Sequence, residues 1–262
     1  MSSINEMLNL RNKVAVITGA AKGIGSAISR RFAEAGADLF LTDINSEELA
    51  SIASQISNNF GCTVRTRVSD LSSPNSAKLL IEEALSTYSR VDILVNNAGI
   101  FPSTFTLDIE EGEWDRVLNT NLKSPYIASR EFAKFLKSQK LPGVILNILS
   151  VSAITSAGNS THYVASKHGL AGVTKSMASE LGPFGIRCLA LAPTMIDTPG
   201  LWASAEGSDE EIEELKSYGK SIPLGREGQP DEVATVALFA VSDLAKYLSG
   251  IIIPVDGGDL AR

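Results

Sequence analysis

Short apolar segments rich in β-branched residues alternate with longer segments of helical periodicity from Lys13 to the end of this 262-residue chain. Such alternation is typical of βαβ units, in which a helix connects two parallel strands. The apolar segments, among them VAVIT and VILNIL, lack polar alternation, as expected of a sheet that helices cover on both faces. The sequence therefore predicts an α/β fold, a single domain over residues 1–262 with a doubly wound parallel sheet of about seven strands.

The element boundaries follow from this pattern. Strands are predicted at residues 14–18, 38–42, 64–68, 93–96, 144–149, 186–192 and 251–255. Helices are predicted at residues 23–35, 47–58, 76–88, 113–138, 162–181 and 230–241. The acidic segment at residues 197–223 follows a strand end and contains a further predicted helix around residues 208–217. We interpret this segment as a lid over a substrate, with a solvated surface helix as the alternative.

A glycine-rich turn, TGAAKGIG, joins the first predicted strand to the next helix. Glycines allow the backbone to turn tightly and approach a pyrophosphate, whose charge the helix N-terminus stabilises. Any tight turn can contain glycines, but the position between first strand and first long helix favours a Rossmann-type dinucleotide site. The residues of this turn that we expect to contact a dinucleotide are Gly19, Lys22, Gly23, Ile24 and Gly25.

Asp43 ends the second predicted strand, 18 residues after Gly25. This spacing suits a carboxylate that binds the adenosine ribose hydroxyls and repels a 2′-phosphate, which favours NAD over NADP. Lys22 could pair with that phosphate, although an exposed lysine contributes little. Capping the following helix is the alternative role for Asp43. Asp70 and Leu71 follow the third strand, where Asp70 could bind the adenine edge or cap the next helix.

Tyr163 and Lys167 are four residues apart in a predicted helix, so their side chains share one face. A tyrosine acting as a base must lose its proton near neutral pH, and the Lys167 ammonium is expected to lower the pKa of Tyr163. Ser150 follows the fifth strand, at the sheet edge where parallel sheets bind ligands. Each feature alone is common, but together they predict proton transfer to a substrate oxygen.

Charge and composition argue against several other functions. The 23 Lys+Arg and 30 Asp+Glu residues give a formal net charge of −7, which disfavours nucleic acid and anionic membranes as partners. We find no signal segment and no apolar run of about eighteen residues, so a cytoplasmic location is expected.

Cys62 and Cys188 form no CxxC motif and are expected to be reduced thiols. His162 and His168 predict neither a metal site nor a serine hydrolase, and we interpret His162 as a pocket wall or surface residue.

The order and spacing of several motifs resemble those of the short-chain dehydrogenase/reductase family over residues 13–258. The resemblance is carried by the glycine turn, the NNAG sequence at residues 96–99, Asn121 in NTNLK, and the YVASK sequence at residues 163–167. Ser150, 13 residues before Tyr163, and the closing VDGG at residues 255–258 also match.

This resemblance implies a role for each matching residue. Tyr163 is expected to transfer the substrate proton, Lys167 to lower its pKa and bind the nicotinamide ribose, and Ser150 to hold the substrate oxygen. Asn121 is expected to kink its helix and hold a water in a proton relay. The family also implies a homotetramer. Further cofactor contacts are implied for Tyr163 itself and for Asn97, Ala98, Gly99, Pro193, Ile196 and Thr198, the last two beside the nicotinamide carboxamide.

Thr194 departs from the family pattern, which has glycine after the proline that matches Pro193. A β-branched residue does not readily adopt the positive φ that glycine can. We therefore expect the backbone beside the nicotinamide, and the contact made by Ile196, to differ from those of the family.

The sequence thus predicts an NAD(H)-dependent oxidoreductase that interconverts a small secondary alcohol and a ketone, with no metal. Within the enzymes, the alternative is a 3-oxoacyl-thioester reductase that uses NADPH. A non-catalytic NAD-binding sensor remains a further alternative, whereas a nucleotide-sugar isomerase or lyase would show a different glycine spacing. The expected substrate-pocket walls are Phe101, Ser152, Thr155, Asn159, His162, Met195 and Trp202.

Overall fold

The computed structural model describes residues 2–203 and 208–262 of the chain. Within these residues, seven strands form one parallel sheet in the order β3-β2-β1-β4-β5-β6-β7. The winding direction reverses between β1 and β4, where doubly wound sheets bind ligands. The strands are β1 (Val14–Thr18), β2 (Asp38–Asp43), β3 (Val64–Val68), β4 (Ile93–Asn96), β5 (Gly143–Ile148), β6 (Ile186–Pro193) and β7 (Ile252–Val255).

Helices connect successive strands and follow the predicted positions closely. A short 3₁₀ turn, Val151–Ala153, follows β5. The α-helices are α1 (Ile4–Leu8), α2 (Gly23–Glu34), α3 (Ser46–Phe60), α4 (Ser76–Tyr88), α5 (Glu111–Leu118), α6 (Ser124–Gln139), α7 (Thr161–Leu181), α8 (Pro199–Ala203), α9 (Asp209–Ser221) and α10 (Pro230–Val241).

Separate apolar cores lie on the two faces of the sheet. On one face, Ile17 of β1 packs in a core with Ile28 of α2 and Ala237 of α10. On the other face, Phe40 of β2 belongs to a core that includes Phe132 of α6. Each fully buried side chain of this size stabilises the fold by roughly 1.5–3 kcal/mol. The predicted sheet with helices on both faces is therefore confirmed.

The predicted helix at residues 113–138 is not one continuous α-helix, and its interruption contains Asn121, where the family resemblance implies a kink. A π-helical turn, Asn119–Lys123, joins α5 to α6. Such single π turns occur frequently at functional sites. The carboxamide of Asn121 in this turn accepts the N–H of Ile100 at 2.9 Å and donates to the Ile100 carbonyl at 2.7 Å. This distant contact depends on the fold and leaves no periodic signal in the sequence.

The acidic segment at residues 197–223 contains α8 and α9. Ser208 caps α9 by accepting the N–H of Glu211 at 3.1 Å. Residues 204–207 of the predicted lid lie outside the described residues. Because Thr198 and Gly200 line the cavity described below, the start of this segment reaches the site, and its closure over a substrate stays a prediction.

Candidate active site

A cavity of about 560 Å³ lies at the carboxyl ends of the central strands. Its volume is in the range typical of small-molecule and cofactor sites. Five predicted site residues contribute neither side chain nor backbone to its wall: Gly25, Asn121, Ser150, Pro193 and Ile196. The predicted site residues that do line it are Gly19, Lys22, Gly23, Ile24, Asp43, Asp70, Leu71, Asn97, Ala98, Gly99, Tyr163, Lys167 and Thr198.

The glycine turn has the backbone shape that a pyrophosphate site requires. Gly19 and Gly23 have φ angles of 62° and 57°, which residues with side chains rarely adopt. A Cβ on Gly25 would lie 2.0 Å from the carbonyl oxygen of Gly19 and 2.6 Å from Nδ2 of Asn97. Because α2 begins at Gly23, its first N–H groups are available to an anion. These residues therefore fit the pyrophosphate of a dinucleotide.

Substitution of Gly25 by alanine is expected to weaken NADH binding by about 100-fold, because the turn must shift to relieve the contact with the Gly19 carbonyl. A fluorescence titration with NADH measures this change. Gly112→Ala in α5 is the matched control, since an added Cβ there meets nothing within 4 Å. Equal affinity of Gly25→Ala and the parent protein would show that the turn does not hold the dinucleotide.

Asn97 fastens the glycine turn to the end of β4. Its Nδ2 donates to the carbonyl oxygens of Thr18 and Gly19 at 3.0 and 2.9 Å. In return, Oγ1 of Thr18 accepts the N–H groups of Asn97 and Ala98, both at 3.0 Å. Because these bonds engage the only donor group of the Asn97 carboxamide, Asn97 shapes the cavity wall by holding the backbone of Thr18 and Gly19 in place.

Asp43 faces the glycine turn from the end of β2. Its carboxylate accepts the N–H of Ala21 at 3.0 Å and that of Asn45 at 3.1 Å. The alternative role as a helix cap is wrong, because Asn45 is the N-cap of α3 and accepts the N–H of Glu48. Lys22, the residue that favoured a 2′-phosphate, lies 3.3 Å from the Glu48 carboxylate.

Asp70 stabilises the turn that follows β3. It accepts the N–H of Ser72 at 2.8 Å and the Ser72 hydroxyl at 2.7 Å, and these bonds keep the pKa of Asp70 below its usual value. Since α4 begins only at Ser76, after Asn75, Asp70 does not cap that helix. Its position on the cavity wall agrees with the other alternative, a place near the adenine.

Tyr163 lies half-buried on the cavity wall at the start of α7. Burial raises the pKa of the Tyr163 phenol, while a hydrogen bond with the Ser150 side chain acts in the opposite direction. The lowering of this pKa by the Lys167 ammonium stays a prediction. The Lys167 Nζ lies 5.5 Å from the centre of the phenol ring and donates to the Ile148 carbonyl at 2.9 Å.

Lys167 is almost completely buried, with 4% of its surface exposed. Burial lowers the pKa of this ammonium from 10.5 to about 8, because a charged group loses hydration in the interior. The ammonium is therefore still mostly protonated at neutral pH. It lies where its positive charge can assist a phenolate and bind hydroxyl groups in the cavity.

Asn121 and Lys167 approach each other across Gly99. A Cβ on Gly99 would lie 3.3 Å from Oδ1 of Asn121 and 3.7 Å from Nζ of Lys167. Asn121 is buried and also donates to the Ser166 hydroxyl at 3.3 Å. Of the four predicted catalytic residues, Tyr163 and Lys167 therefore line the cavity, and Asn121 lies next to Lys167 without lining it. The water relay through Asn121 stays a prediction.

The strand end near Thr194 explains the departure from the family's glycine. Thr194 has no positive φ, and its hydroxyl donates to Asp259 at 2.5 Å. Asp259 also accepts the Tyr218 hydroxyl of α9 at 2.6 Å. Ile196 forms a β-bridge with Gly228 and belongs to the buried core. Because neither Pro193 nor Ile196 lines the cavity, the cofactor contacts expected of them stay predictions.

The expected substrate-pocket walls are only partly found. Phe101 lines the cavity and packs edge-on against Tyr163, with ring centres 6.3 Å apart. His162 is neither a pocket wall nor a surface residue, because its side chain is fully buried and bonded to Glu113. Trp202 donates to Asp197 at 2.7 Å and lies off the cavity. The remaining expected walls that do not line it are Ser152, Thr155, Asn159 and Met195.

Several lining residues were missed by sequence reasoning. Arg116 of α5 and Thr120 of the π turn reach the cavity from the segment around Asn121. Ile44 lies directly after Asp43, and this adjacency is a signal that could have identified it. The other missed residues are Thr42, Ser69, Ser72, Ile100, Ile148, Leu149 and Gly200.

Comparison with known proteins identifies the fold and the family. The family model described as enoyl-(acyl carrier protein) reductase matches residues 19–259. The chain is 38% identical over 251 residues to the 3-oxoacyl-[acyl-carrier-protein] reductase FabG of Thermotoga maritima, covering 96% of this chain and 99% of that protein. It is 35% identical over 253 residues to dehydrogenase/reductase SDR family member 6 of Rattus norvegicus, covering 96% of this chain and 99% of that protein. The chain belongs to the short-chain dehydrogenase/reductase family.

Solved structures of short-chain dehydrogenases superimpose closely on this chain. A structure from Beutenbergia cavernae that contains bound NADP has a TM-score of 0.89 and 34% identity, covering 98% of this chain and 100% of the other. Family membership makes the protein a nucleotide-dependent oxidoreductase. Among residues 2–203 and 208–262, none of the helices combines the length and apolar character needed to cross a membrane.

Proposed function

We propose that this short-chain dehydrogenase/reductase interconverts a secondary alcohol and a ketone with NAD(H), using Tyr163 as the general acid/base. The observation that carries the proposal is that Tyr163 and Lys167 line the same cavity as the glycine turn, with the Ser150 side chain hydrogen-bonded to the phenol. A proton donor and a dinucleotide cradle in one cavity are the two parts that such a reaction needs.

Tyr163, Ser150 and Lys167 each have a separate role in the proposed reaction. Tyr163 gives its hydroxyl proton to the ketone oxygen during reduction and takes it back during oxidation. Ser150 donates a hydrogen bond to the same oxygen and so keeps it within reach of the phenol. Lys167 binds ribose hydroxyls and stabilises the phenolate through its positive charge. The bound nicotinamide supplies or accepts the hydride.

We further propose that the cofactor is NAD. Asp43 presents a carboxylate at the cavity wall, and a 2′-phosphate there would meet like charge. Lys22, the nearest cation in the turn, is paired with Glu48. NADP bound in the Beutenbergia cavernae structure, at 34% identity, supports the opposite preference, so the carboxylate is the feature to test.

Asp43→Asn is expected to lower the ratio of kcat/KM for NAD to that for NADP by roughly 10-fold or more, because it removes the charge that opposes a 2′-phosphate. The carboxamide oxygen can still accept a backbone N–H, so the turn keeps part of its support. Steady-state kinetics with both cofactors measures the ratio. Glu47→Gln changes the net charge equally on the exposed first turn of α3 and serves as the control. An unchanged ratio in Asp43→Asn would contradict the assignment.

A second candidate function is reduction of a 3-oxoacyl thioester with NADPH. The 38% identity to the FabG reductase of Thermotoga maritima favours it. A turnover screen with NAD and NADP against secondary alcohols, their ketones and a 3-oxoacyl thioester separates the candidates. Turnover of the thioester alone with NADPH would favour the second candidate. Tight NADH binding without turnover of any substrate would indicate a cofactor sensor.

We also propose a cytoplasmic homotetramer, as the family resemblance implies. Both cysteines are free thiols, and Cys188 is buried. Exposed apolar side chains on α6 and beside β7, Tyr126 at 40% and Ile251 at 44% exposure, offer surfaces for association. Light scattering of the purified protein measures the mass of the assembly directly.

A further inference from the structure

His162, the residue before Tyr163, is completely buried and forms hydrogen bonds at both ring nitrogens. Its Nδ1 accepts the backbone N–H of Tyr163 at 2.9 Å. Its Nε2 lies 2.7 Å from Oε1 of Glu113 on α5. Because an N–H group can only donate, Nδ1 carries no proton, so Nε2 carries it and donates to the carboxylate.

The hydrogen bond to Nδ1 gives a partner to a backbone N–H that helix geometry leaves without one. The N–H of Tyr163 belongs to the first turn of α7 and has no partner within the helix. The preceding N-cap residue, Ser160, makes no side-chain capping bond. The imidazole of His162 therefore caps the turn from which the phenol extends.

Glu113 also connects the start of α7 to the loop that precedes α5. It accepts a hydrogen bond from the Thr104 side chain as well as from His162, and both bonds keep the pKa of the Glu113 carboxyl below its usual value. The N–H of Thr104 donates to the Asn159 carbonyl at 2.7 Å. The same loop carries Phe101, whose ring packs edge-on against the Tyr163 phenol.

We propose that His162 and Glu113 are positioning residues for Tyr163. The pair fixes the backbone at Tyr163 and the loop that carries Phe101, and the two together set where the phenol hydroxyl lies in the cavity. This inference rests on the proposed function of Tyr163 as the proton-transfer residue. Neither His162 nor Glu113 touches the cavity, so both act through Tyr163.

Two substitutions at His162 separate its two hydrogen bonds. The Oδ1 of asparagine can occupy the place of Nδ1 and accept the Tyr163 N–H, whereas its side chain is too short for Glu113. Glutamine can reach Glu113 but does not present an acceptor at the Nδ1 position. His162→Gln is therefore expected to lower kcat with a secondary alcohol by roughly 10- to 100-fold, while His162→Asn recovers most of the loss.

The NADH dissociation constant and the KM for NAD are expected to stay within about twofold of the parent values in both variants, because the glycine turn is untouched. Amide hydrogen exchange of the peptide that contains Tyr163 is expected to be faster in His162→Gln than in His162→Asn. This readout tests the capping bond without turnover. A general loss of stability would instead change both variants alike.

Each outcome bears on one of the two proposals. Parent-like kcat in His162→Gln, or equal losses of kcat in both variants, would overturn the positioning role while leaving the proposed function intact. Absence of turnover in the parent protein would overturn the proposed function itself. If His162→Gln does not fold, Glu113→Ala replaces it, with an expected loss in kcat of about tenfold at unchanged NADH affinity. Unchanged kcat in Glu113→Ala would likewise overturn the positioning role.

Discussion

Tyr163→Phe is expected to lower turnover by about 10³-fold while NADH binds with nearly the parent affinity. The substitution removes only the hydroxyl that donates or accepts the substrate proton, and general acid/base groups typically contribute 10²- to 10⁴-fold. The ring remains to pack against Phe101. Steady-state kinetics and a fluorescence titration with NADH measure the two quantities on the same preparation.

Tyr247→Phe is the matched control for this experiment. Tyr247 is fully exposed and lies outside the cavity, so the same loss of a hydroxyl should leave turnover unchanged. Turnover of Tyr163→Phe within a few-fold of the parent protein would show that another group moves the proton. Loss of NADH binding in Tyr163→Phe would show instead that the phenol is chiefly a cofactor contact.

Lys167→Met is expected to change activity and stability in opposite directions. Turnover should fall by about 100-fold or more, because the phenolate loses its neighbouring cation and the ribose loses a donor. Methionine has a similar length but carries no charge to bury. We therefore expect the variant to unfold at a higher urea concentration than the parent protein at pH 7.

The direction of this stability change follows from the pKa of Lys167. Burial lowers that pKa from 10.5 to about 8, so between these values the unfolded chain binds more protons than the folded one. The contribution of Lys167 to the stability of the parent protein should therefore become less unfavourable as pH rises from about 8 to 10.5, and it should be most unfavourable below 8. The full shift corresponds to about 3 kcal/mol, an upper limit for the gain in Lys167→Met at pH 7.

Urea unfolding at pH 7 and at pH 10 tests this dependence. The advantage of Lys167→Met over the parent should shrink at pH 10, because the parent lysine is then neutral in the folded protein and no charge is buried. Lys175→Met, an exposed position on the same helix, should show no such pH-dependent advantage. Lower stability of Lys167→Met at pH 7 would mean that the bond from Nζ to the Ile148 carbonyl outweighs the cost of burying the charge.

The sheet could be predicted because its strands are continuous apolar segments bounded by polar turns. The strand at Val14–Thr18 and the helices at Ser76–Tyr88 and Pro230–Val241 begin and end where the sequence predicted. Periodicity did not predict the π turn at Asn119–Lys123, although the family resemblance implied a kink at Asn121. The turn depends on hydrogen bonds to Ile100, which is far away in sequence and becomes adjacent only in the folded chain.

The site was predictable where a motif sets the geometry and not where packing does. The glycine turn, Asp43 and the Tyr163–Lys167 pair all reach one cavity, because carboxyl ends of parallel strands meet at one edge of the sheet. His162 was misjudged because its environment is set by Glu113, on a helix far away in sequence. The rise in the pKa of Tyr163 on burial was also not foreseen, because the burial of a side chain depends on packing between segments that are distant in sequence.

Transfer of deuterium from labelled NADH tests the central claim most directly. The protein is incubated with a panel of ketones and with NADH carrying deuterium at one or the other C4 position, and the alcohols are examined by mass spectrometry. We expect one deuterium on the carbinol carbon from one of the two labelled cofactors, and about 10³-fold less product with Tyr163→Phe. Bound NADH that yields no deuterated alcohol from any ketone with either label would contradict the proposed hydride transfer.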